Sequence, residues 1–145
     1  MIIVVATGGF DPIHSGHIKY LKEASLCGTR LVVGVNSDEW LSRKKGKFFM
    51  PFEERAAIVS ALSCVDDVMA FDDSDGTAID CLEQVKALYP LDTIVFANGG
   101  DRTPNNVGVG EIETCFSLGI LPIFNVGGGK TQSSSSFLQE WTRRV

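Results

Sequence analysis

The sequence predicts an α/β fold: a doubly wound, five-stranded parallel sheet with helices on both faces. Five short, β-rich apolar runs recur along the chain, each bounded by Gly, Asp, Asn or Pro. The stretches between them carry apolar residues at helical spacing. The runs are also apolar throughout rather than alternating with polar residues, the pattern of strands covered by helices on each side. With 145 residues, 44% of them hydrophobic, the chain is large enough for one core, and residues 1–145 are expected to form a single domain.

The elements follow in order. IIVVA at 2–6 is the first strand, and Ile18, Leu21, Ala24 and Leu26 mark a helix after it. LVVGV at 31–35 is the second strand, followed by a polar segment from Asn36 to Lys47, read as a loop, and then by a helix begun by Pro51 and carried by Phe52, Ala56, Val59 and Leu62. DVMAF at 67–71 is the third strand; Asp72, Asp73, Ser74 and Asp75 after it read as a solvated turn and helix cap. Ile79, Leu82, Val85 and Leu88 form the next helix, TIVFA at 93–97 the fourth strand, 109–118 a helix, ILPIF at 120–124 the fifth strand and 134–142 a final helix. No repeat, charge block or linker divides the chain.

Thirteen Lys and Arg against eighteen Asp and Glu leave a net charge of -5, which argues against non-specific binding to nucleic acid or an anionic membrane. Any phosphate-binding role must come from a local site. Ile2 to Ala6 has no basic stretch before it and is too short for a signal segment, so a cytoplasmic protein is expected. Cys27, Cys64, Cys81 and Cys115 show neither Cys-x-x-Cys pairing nor a companion His spacing, and are expected to be buried and reduced.

In a doubly wound sheet, ligands bind beyond the carboxyl ends of the strands, where the strand order reverses. The segments Thr7 to His17, Asn36 to Lys47, Asn98 to Asn106 and Asn125 to Ser136 each follow a strand and should converge on one cleft. The first reads Gly8-Gly9-Phe10-Asp11-Pro12-Ile13-His14-Ser15-Gly16-His17. Two glycines let backbone N–H groups approach an anion, and the helix start near Ser15 adds unsatisfied N–H groups and the positive end of a dipole. His14 and His17, the only two histidines, can both turn toward one bound group. Two other readings of the pair are structural histidines, or a metal set with Asp11; zinc-binding pairs on helices favour i, i+4 over the i, i+3 seen here.

Gly-x-Phe-Asp followed by His-x-Gly-His resembles the cytidylyltransferase-like nucleotidyltransferases, the family of glycerol-3-phosphate, ethanolamine-phosphate and choline-phosphate cytidylyltransferases and of heptose-1-phosphate adenylyltransferases. The likeness extends along nearly the whole chain. Val35-Asn36-Ser37-Asp38 resembles the family's segment after the second strand, and Lys45-Gly46 with Glu54-Arg55 its lysine loop and following helix. Gly99-Gly100-Asp101 resembles its nucleotide-side turn, and Ser133-Ser134-Ser135 stands where the family has a Ser-Thr-Thr helix start.

The resemblance implies a Rossmann-like fold and an enzyme in which a phosphate monoester attacks the α-phosphorus of a nucleoside triphosphate and pyrophosphate leaves. It implies His14, His17 and Lys45 as catalytic residues. Gly8, Gly9, Phe10, Asp11, Asp101, Lys130, Ser133, Ser134 and Ser135 would bind nucleotide or phosphate, and Lys44 and Arg55 would contact or support the second substrate. Mg²⁺ is expected with the nucleotide, without identifiable protein ligands, and a homodimer is expected. The family's cytidylyltransferases carry an arginine before the Ser-Thr pair, where this chain reads Gly128-Gly129-Lys130-Thr131-Gln132. Heptose-1-phosphate adenylyltransferases also lack it, which favours ATP and a sugar phosphate; CTP with glycerol-3-phosphate or a similar alcohol phosphate is the alternative, and a non-catalytic nucleotide-binding module is a second.

Two other motif matches fail: Phe124 stands where a P-loop ending in Gly129-Lys130-Thr131 needs its first glycine, and Glu113 breaks a dinucleotide fingerprint begun at Gly108. Asp101, Arg102 and Asn105 lie in a polar, Pro-containing loop, consistent with an ordinary turn or with base and ribose contacts.

Overall fold

The computed structural model describes residues 1–100, 102–103, 105–128 and 133–144. Strands β1 (Ile2–Gly8), β2 (Arg30–Val35), β3 (Asp67–Met69), β4 (Thr93–Gly99) and β5 (Leu121–Val126) form one sheet in the order β3-β2-β1-β4-β5, every neighbouring pair parallel. Helices α1 (Ser15–Ser25), α2 (Asp38–Lys45), α3 (Phe52–Ser60), α4 (Ile79–Leu88), α5 (Glu111–Leu118) and α6 (Ser134–Arg144) connect and follow the strands. This is the doubly wound, Rossmann-like α/β fold that the runs and spacings predict.

The period of two along β1 divides the core. Ile3 and Val5 face one cluster with Val32, Ile94 and Phe96, closed by Leu82 and Val85 of α4 and Cys115 of α5. Val4 and Ala6 face the other with Leu31, Val33 and Ala97, closed by Leu21 and Ala24 of α1 and Val59 of α3. Four consecutive residues, Ile3 to Ala6, are fully buried, as a central strand covered on both faces requires. Because α1 and α3 cover one face and α4 and α5 the other, the winding reverses between β1 and β4. The loops after these two strands therefore splay apart and leave a crevice.

Three local features depart from the sequence reading. The segment Asn36 to Lys47 is not all loop: Asp38–Lys45 is a helix, with Ser37 Oγ accepting from Trp40 N at 3.1 Å and Gly46 ending it at φ 89°. Its Asp38 and Glu39 begin it and Arg43, Lys44 and Lys45 end it, so its charges suit the helix dipole. Only Leu41 is buried along it, which is why no apolar periodicity announced it. Asp73 is not solvated either. It is buried, and its carboxylate accepts from Asn36 Nδ2 at 3.0 Å, Ser37 N at 2.8 Å and Ser37 Oγ at 2.7 Å, fastening the start of α2 to the loop after β3. Finally, Cys81 and Cys115 are buried as expected, but Cys27 is exposed and Cys64 half-buried.

Candidate active site

The turn after β1 is shaped by two close approaches. A Cβ on Gly8 would lie 2.9 Å from Cζ of Phe10, and one on Gly9 would lie 2.8 Å from Cδ2 of Leu41 in α2. A side chain at Gly8 would displace the Phe10 ring, and one at Gly9 the tip of Leu41. Phe10 adopts φ 54°, unfavourable for a bulky residue, and its buried ring meets His17 edge-on at a centroid distance of 5.1 Å.

The histidines cap α1 reciprocally. Nδ1 of His14 accepts from Gly16 N at 3.1 Å, and Nδ1 of His17 accepts from His14 N at 3.2 Å. Their rings stack at a centroid distance of 3.9 Å. An Nδ1 that accepts a backbone N–H must present its lone pair, so the imidazole proton resides on Nε2 in both rings. The capping box thus fixes the tautomer, with the Nε2–H groups of the two rings one helical turn apart in sequence. The residue pair singled out in the sequence thus folds the helix start.

Helix α6 closes over this turn. Ser134 Oγ donates to Pro12 O at 2.6 Å, Phe137 lies 5.6 Å from the His14 ring, and Ser133 Oγ accepts from Ser136 N at 3.0 Å. Helix α1 in turn supports the end of β5, where Glu23 accepts from Gly127 N at 2.7 Å. A Cβ on Gly127 would fall 2.9 Å from Cα of Tyr20. On the neighbouring strand, Gly100 passes so close to Gly128 that a Cβ would lie 1.9 Å from its carbonyl oxygen. The glycines after β1, β4 and β5 let these three loops meet.

Two residues of the predicted site, Asp11 and Arg55, carry structural tasks. The Asp11 side chain has no exposed surface, and its two oxygens accept from Phe49 N at 2.6 Å and Met50 N at 2.7 Å. It pins the segment after α2 to the β1 turn and does not offer its carboxylate to a ligand. Arg55 is fully buried; its guanidinium donates to the carbonyls of Met50, Gly9 and Asn36 and pairs with Asp38 at 2.7 Å. It holds the glycine turn, the end of β2 and α2 in one bracket.

Lys45 stands at the edge of that bracket, its Nζ donating to Asp11 O at 2.8 Å with the Asp11 carboxylate 3.9 Å away. Partial burial pulls its ammonium below the ordinary lysine value; the Asp11 carboxylate opposes this and the Arg55 charge adds to it. Lys44 lies over the Trp40 ring at 4.7 Å. Asp101 and Lys130 lie outside the described residues.

These groups line one cleft of about 1000 Å³, which brings together Gly8, Gly9, Phe10, Asp11, His14, His17, Lys44, Lys45, Ser133, Ser134 and Ser135. Of the described residues in the sequence-derived site, only Arg55 is not part of its lining. Its opposite wall holds residues the sequence reading left out or did not place: Thr77, Ala78, Arg102, Gly108 and Glu111. Glu111 is buried and accepts from Ala78 N at 2.8 Å and Arg102 Nη2 at 2.7 Å. A glutamate directly after Gly108-Val109-Gly110 is the one local sign of it.

A glycine turn and a His-x-Gly-His helix start at the switch point of this parallel sheet define a nucleotidyltransferase domain. The chain belongs to the Cytidylyltransferase-like family, which matches residues 5–117. It is 41% identical over 131 residues to the "Bifunctional protein HldE" of Geotalea uraniireducens, covering 89% of this chain and 25% of that protein. The chain thus spans about a quarter or less of the curated relatives it matches. Among solved structures, the lipopolysaccharide core biosynthesis protein of Thermoplasma volcanium superposes with a TM-score of 0.67 at 30% identity, covering 90% of this chain and 99% of that one. A putative nicotinate-nucleotide adenylyltransferase of Vibrio parahaemolyticus shares the fold at 15% identity, with a TM-score of 0.69 and coverage of 99% of this chain and 88% of that one. Among the described residues, no helix is long and apolar enough to cross a membrane.

Proposed function

We propose that this domain joins ATP to a sugar phosphate, releasing pyrophosphate. An oxygen of the sugar phosphate forms a bond to the α-phosphorus, and the bond from that phosphorus to the β-phosphate bridging oxygen breaks. The observation that carries the reading is the paired histidine cap, which holds two Nε2–H donors at a helix N-terminus lining the cleft. A phosphate monoester, with a second pKa near 6, is already largely a dianion at neutral pH and needs no general base. Catalysis then consists of aligning two anions and stabilising the charge on the α-phosphoryl oxygens and the departing pyrophosphate. His14 and His17 donate to that charge, and Lys45, released from Asp11 O, bridges the two substrates. The Gly8-Gly9-Phe10 turn and the start of α6 hold the remaining phosphates.

Mg²⁺ belongs to this chemistry as part of the nucleotide substrate. Among the described residues no group of three His, Cys, Asp or Glu could hold a metal ion, and the Asp11 carboxylate is buried against two amides. The described side chains do not fit a resident metal. ATP is supported by the absence of an arginine before the serine helix start, and a sugar phosphate by the likeness to HldE and to a lipopolysaccharide core biosynthesis protein. Pyrophosphate release, assayed with each of the four nucleoside triphosphates against aldose phosphates and glycerol 3-phosphate, tests the reading. Release with ATP and an aldose phosphate is expected. Release only with CTP and glycerol 3-phosphate would replace both substrates, and tight nucleotide binding without release under any pairing would leave a non-catalytic module.

A further inference from the structure

The cleft has a second built feature that the transfer chemistry does not use. Glu111, at the first position of α5, is almost wholly buried, yet it lines the cleft. One carboxylate oxygen accepts the amide of Ala78 at the start of α4, and the other holds the Arg102 guanidinium, whose side chain is 29% exposed. Gly108 is required beside it, since a Cβ there would lie 2.6 Å from Glu111 Oε2. Two segments distant in the chain, at Ala78 and at Arg102 to Glu111, are thereby tied around one guanidinium that lines the cleft.

We infer that Arg102, positioned by Glu111, recognises the uncharged hydroxyl-bearing part of the phosphate acceptor. The inference rests on the proposed transfer reaction and assigns one side of its site. Two observations set this arginine apart from the polyphosphate. The polyphosphate must lie against the starts of α1 and α6, where the histidine donors and the serines stand and where neither first turn carries an acidic residue. Arg102 follows β4 and is tied through Glu111 to Ala78 at the start of α4; α4 and α5 cover the sheet face opposite the one that carries α1, so this guanidinium stands across the cleft from the histidine donors. One observation selects hydroxyl groups over phosphate. The Glu111 carboxylate already offsets the Arg102 charge and neutralises the start of α4, so this wall offers directed donors without net positive charge. An arginine has five N–H donors in a fixed fork, and the Glu111 contact uses one terminal nitrogen, leaving others for hydroxyl oxygens.

The test is equilibrium binding to the whole chain in the presence of α,β-methylene-ATP, which needs no turnover. The probes are glucose 1-phosphate, mannose 1-phosphate, glycerol 3-phosphate and inorganic phosphate. At least one of the organic phosphates should bind more tightly than inorganic phosphate. Arg102→Ala should weaken that ligand about tenfold, while inorganic phosphate and the nucleotide analogue stay within about twofold. Arg102→Lys should recover only part of the loss, because an ammonium does not reproduce the fork. Glu111→Gln, which can still accept from Ala78 N, should shift the same ligand in the same direction and by less, with the nucleotide analogue again unaffected. An equal loss for inorganic phosphate would make Arg102 a phosphate cation and overturn the inference. So would a loss confined to the nucleotide analogue, or no organic phosphate binding above inorganic phosphate. Absence of pyrophosphate release by the unaltered chain, with these binding shifts intact, would overturn the transfer reaction and leave the subsite standing.

Discussion

The two walls of the cleft cap their helices in opposite ways. On one wall α1 is capped by neutral imidazole nitrogens and has no acidic residue in its first turn, and α6 has none either. On the other, a buried glutamate at the start of α5 accepts the amide of Ala78 at the start of α4, and α4 and α5 carry Asp80, Glu111 and Glu113 in their first turns. A helix N-terminus carries roughly half a positive charge, and an ionised cap offsets it where a neutral one does not. The first wall therefore keeps its attraction for phosphate; the second has given it up in exchange for a fixed hydrogen-bonding surface. In the proposed reaction, an acidic chain thereby holds two anions without a large basic patch. Among the described helices, only α1 and α6 begin without an acidic residue in the first turn.

The largest expected effect comes from breaking the first wall. His14→Ala or His17→Ala should lower kcat by roughly 10²–10³, the usual loss when an aligned donor to a developing oxyanion is removed. His14→Asp is the sharper experiment. Aspartate caps a helix well, so the fold should survive, as circular dichroism would show. It places a charge where the structure has a neutral group, and nucleotide affinity should fall about tenfold, on the order of the 1–2 kcal/mol that a charge at a partly buried helix end is worth. An unchanged affinity would mean that the wall's potential does not bind the phosphates.

The bracket beneath that wall comes next. Arg55→Met removes a fully buried guanidinium and leaves three carbonyls and Asp38 without their donor, at a cost of about 3–5 kcal/mol in urea unfolding. Asp11→Ala frees the amides of Phe49 and Met50 and should cost roughly 1–3 kcal/mol, together with a small rise in the KM of the phosphate acceptor, since Lys45 keeps its bond to the backbone carbonyl and loses only the carboxylate 3.9 Å away.

The smallest effect lies under the second wall. Burial pushes the Cys81 thiol from 9.0 up to about 12 and that of Cys115 to about 11, with Asp80 and Glu111 adding to the respective shifts. Between pH 9 and these values the folded chain retains protons that the unfolded chain has released. That part of the stability is intact below pH 9 and is lost as the pH rises. Lys45, lowered in the fold, acts in the opposite sense below its ordinary 10.5. Replacing both buried cysteines with alanine should flatten the alkaline decline in melting temperature. At pH 8 a thiol reagent should label exposed Cys27 well before Cys81 or Cys115.

What the sequence determined by itself is what short-range physics encodes. Five apolar runs and the helical spacings between them specify the sheet and its covering because period and composition are local. The Gly8 to His17 segment specifies the phosphate wall because turn, cap and donors fall within ten residues. Helix α2 was legible in its ends, Ser37 and Gly46, but not in its middle, where one buried leucine makes no periodic face. The tertiary structure alone decided the tasks of Asp11, Arg55, Asp73 and Glu111. Asp11 meets amides 38 and 39 residues away, Asp73 meets Ser37 across 36, and Glu111 meets Ala78 across 33. Nothing local distinguishes a buried, paired carboxylate from a solvated one. Only the strand order β3-β2-β1-β4-β5, which sets those loops side by side, makes the difference.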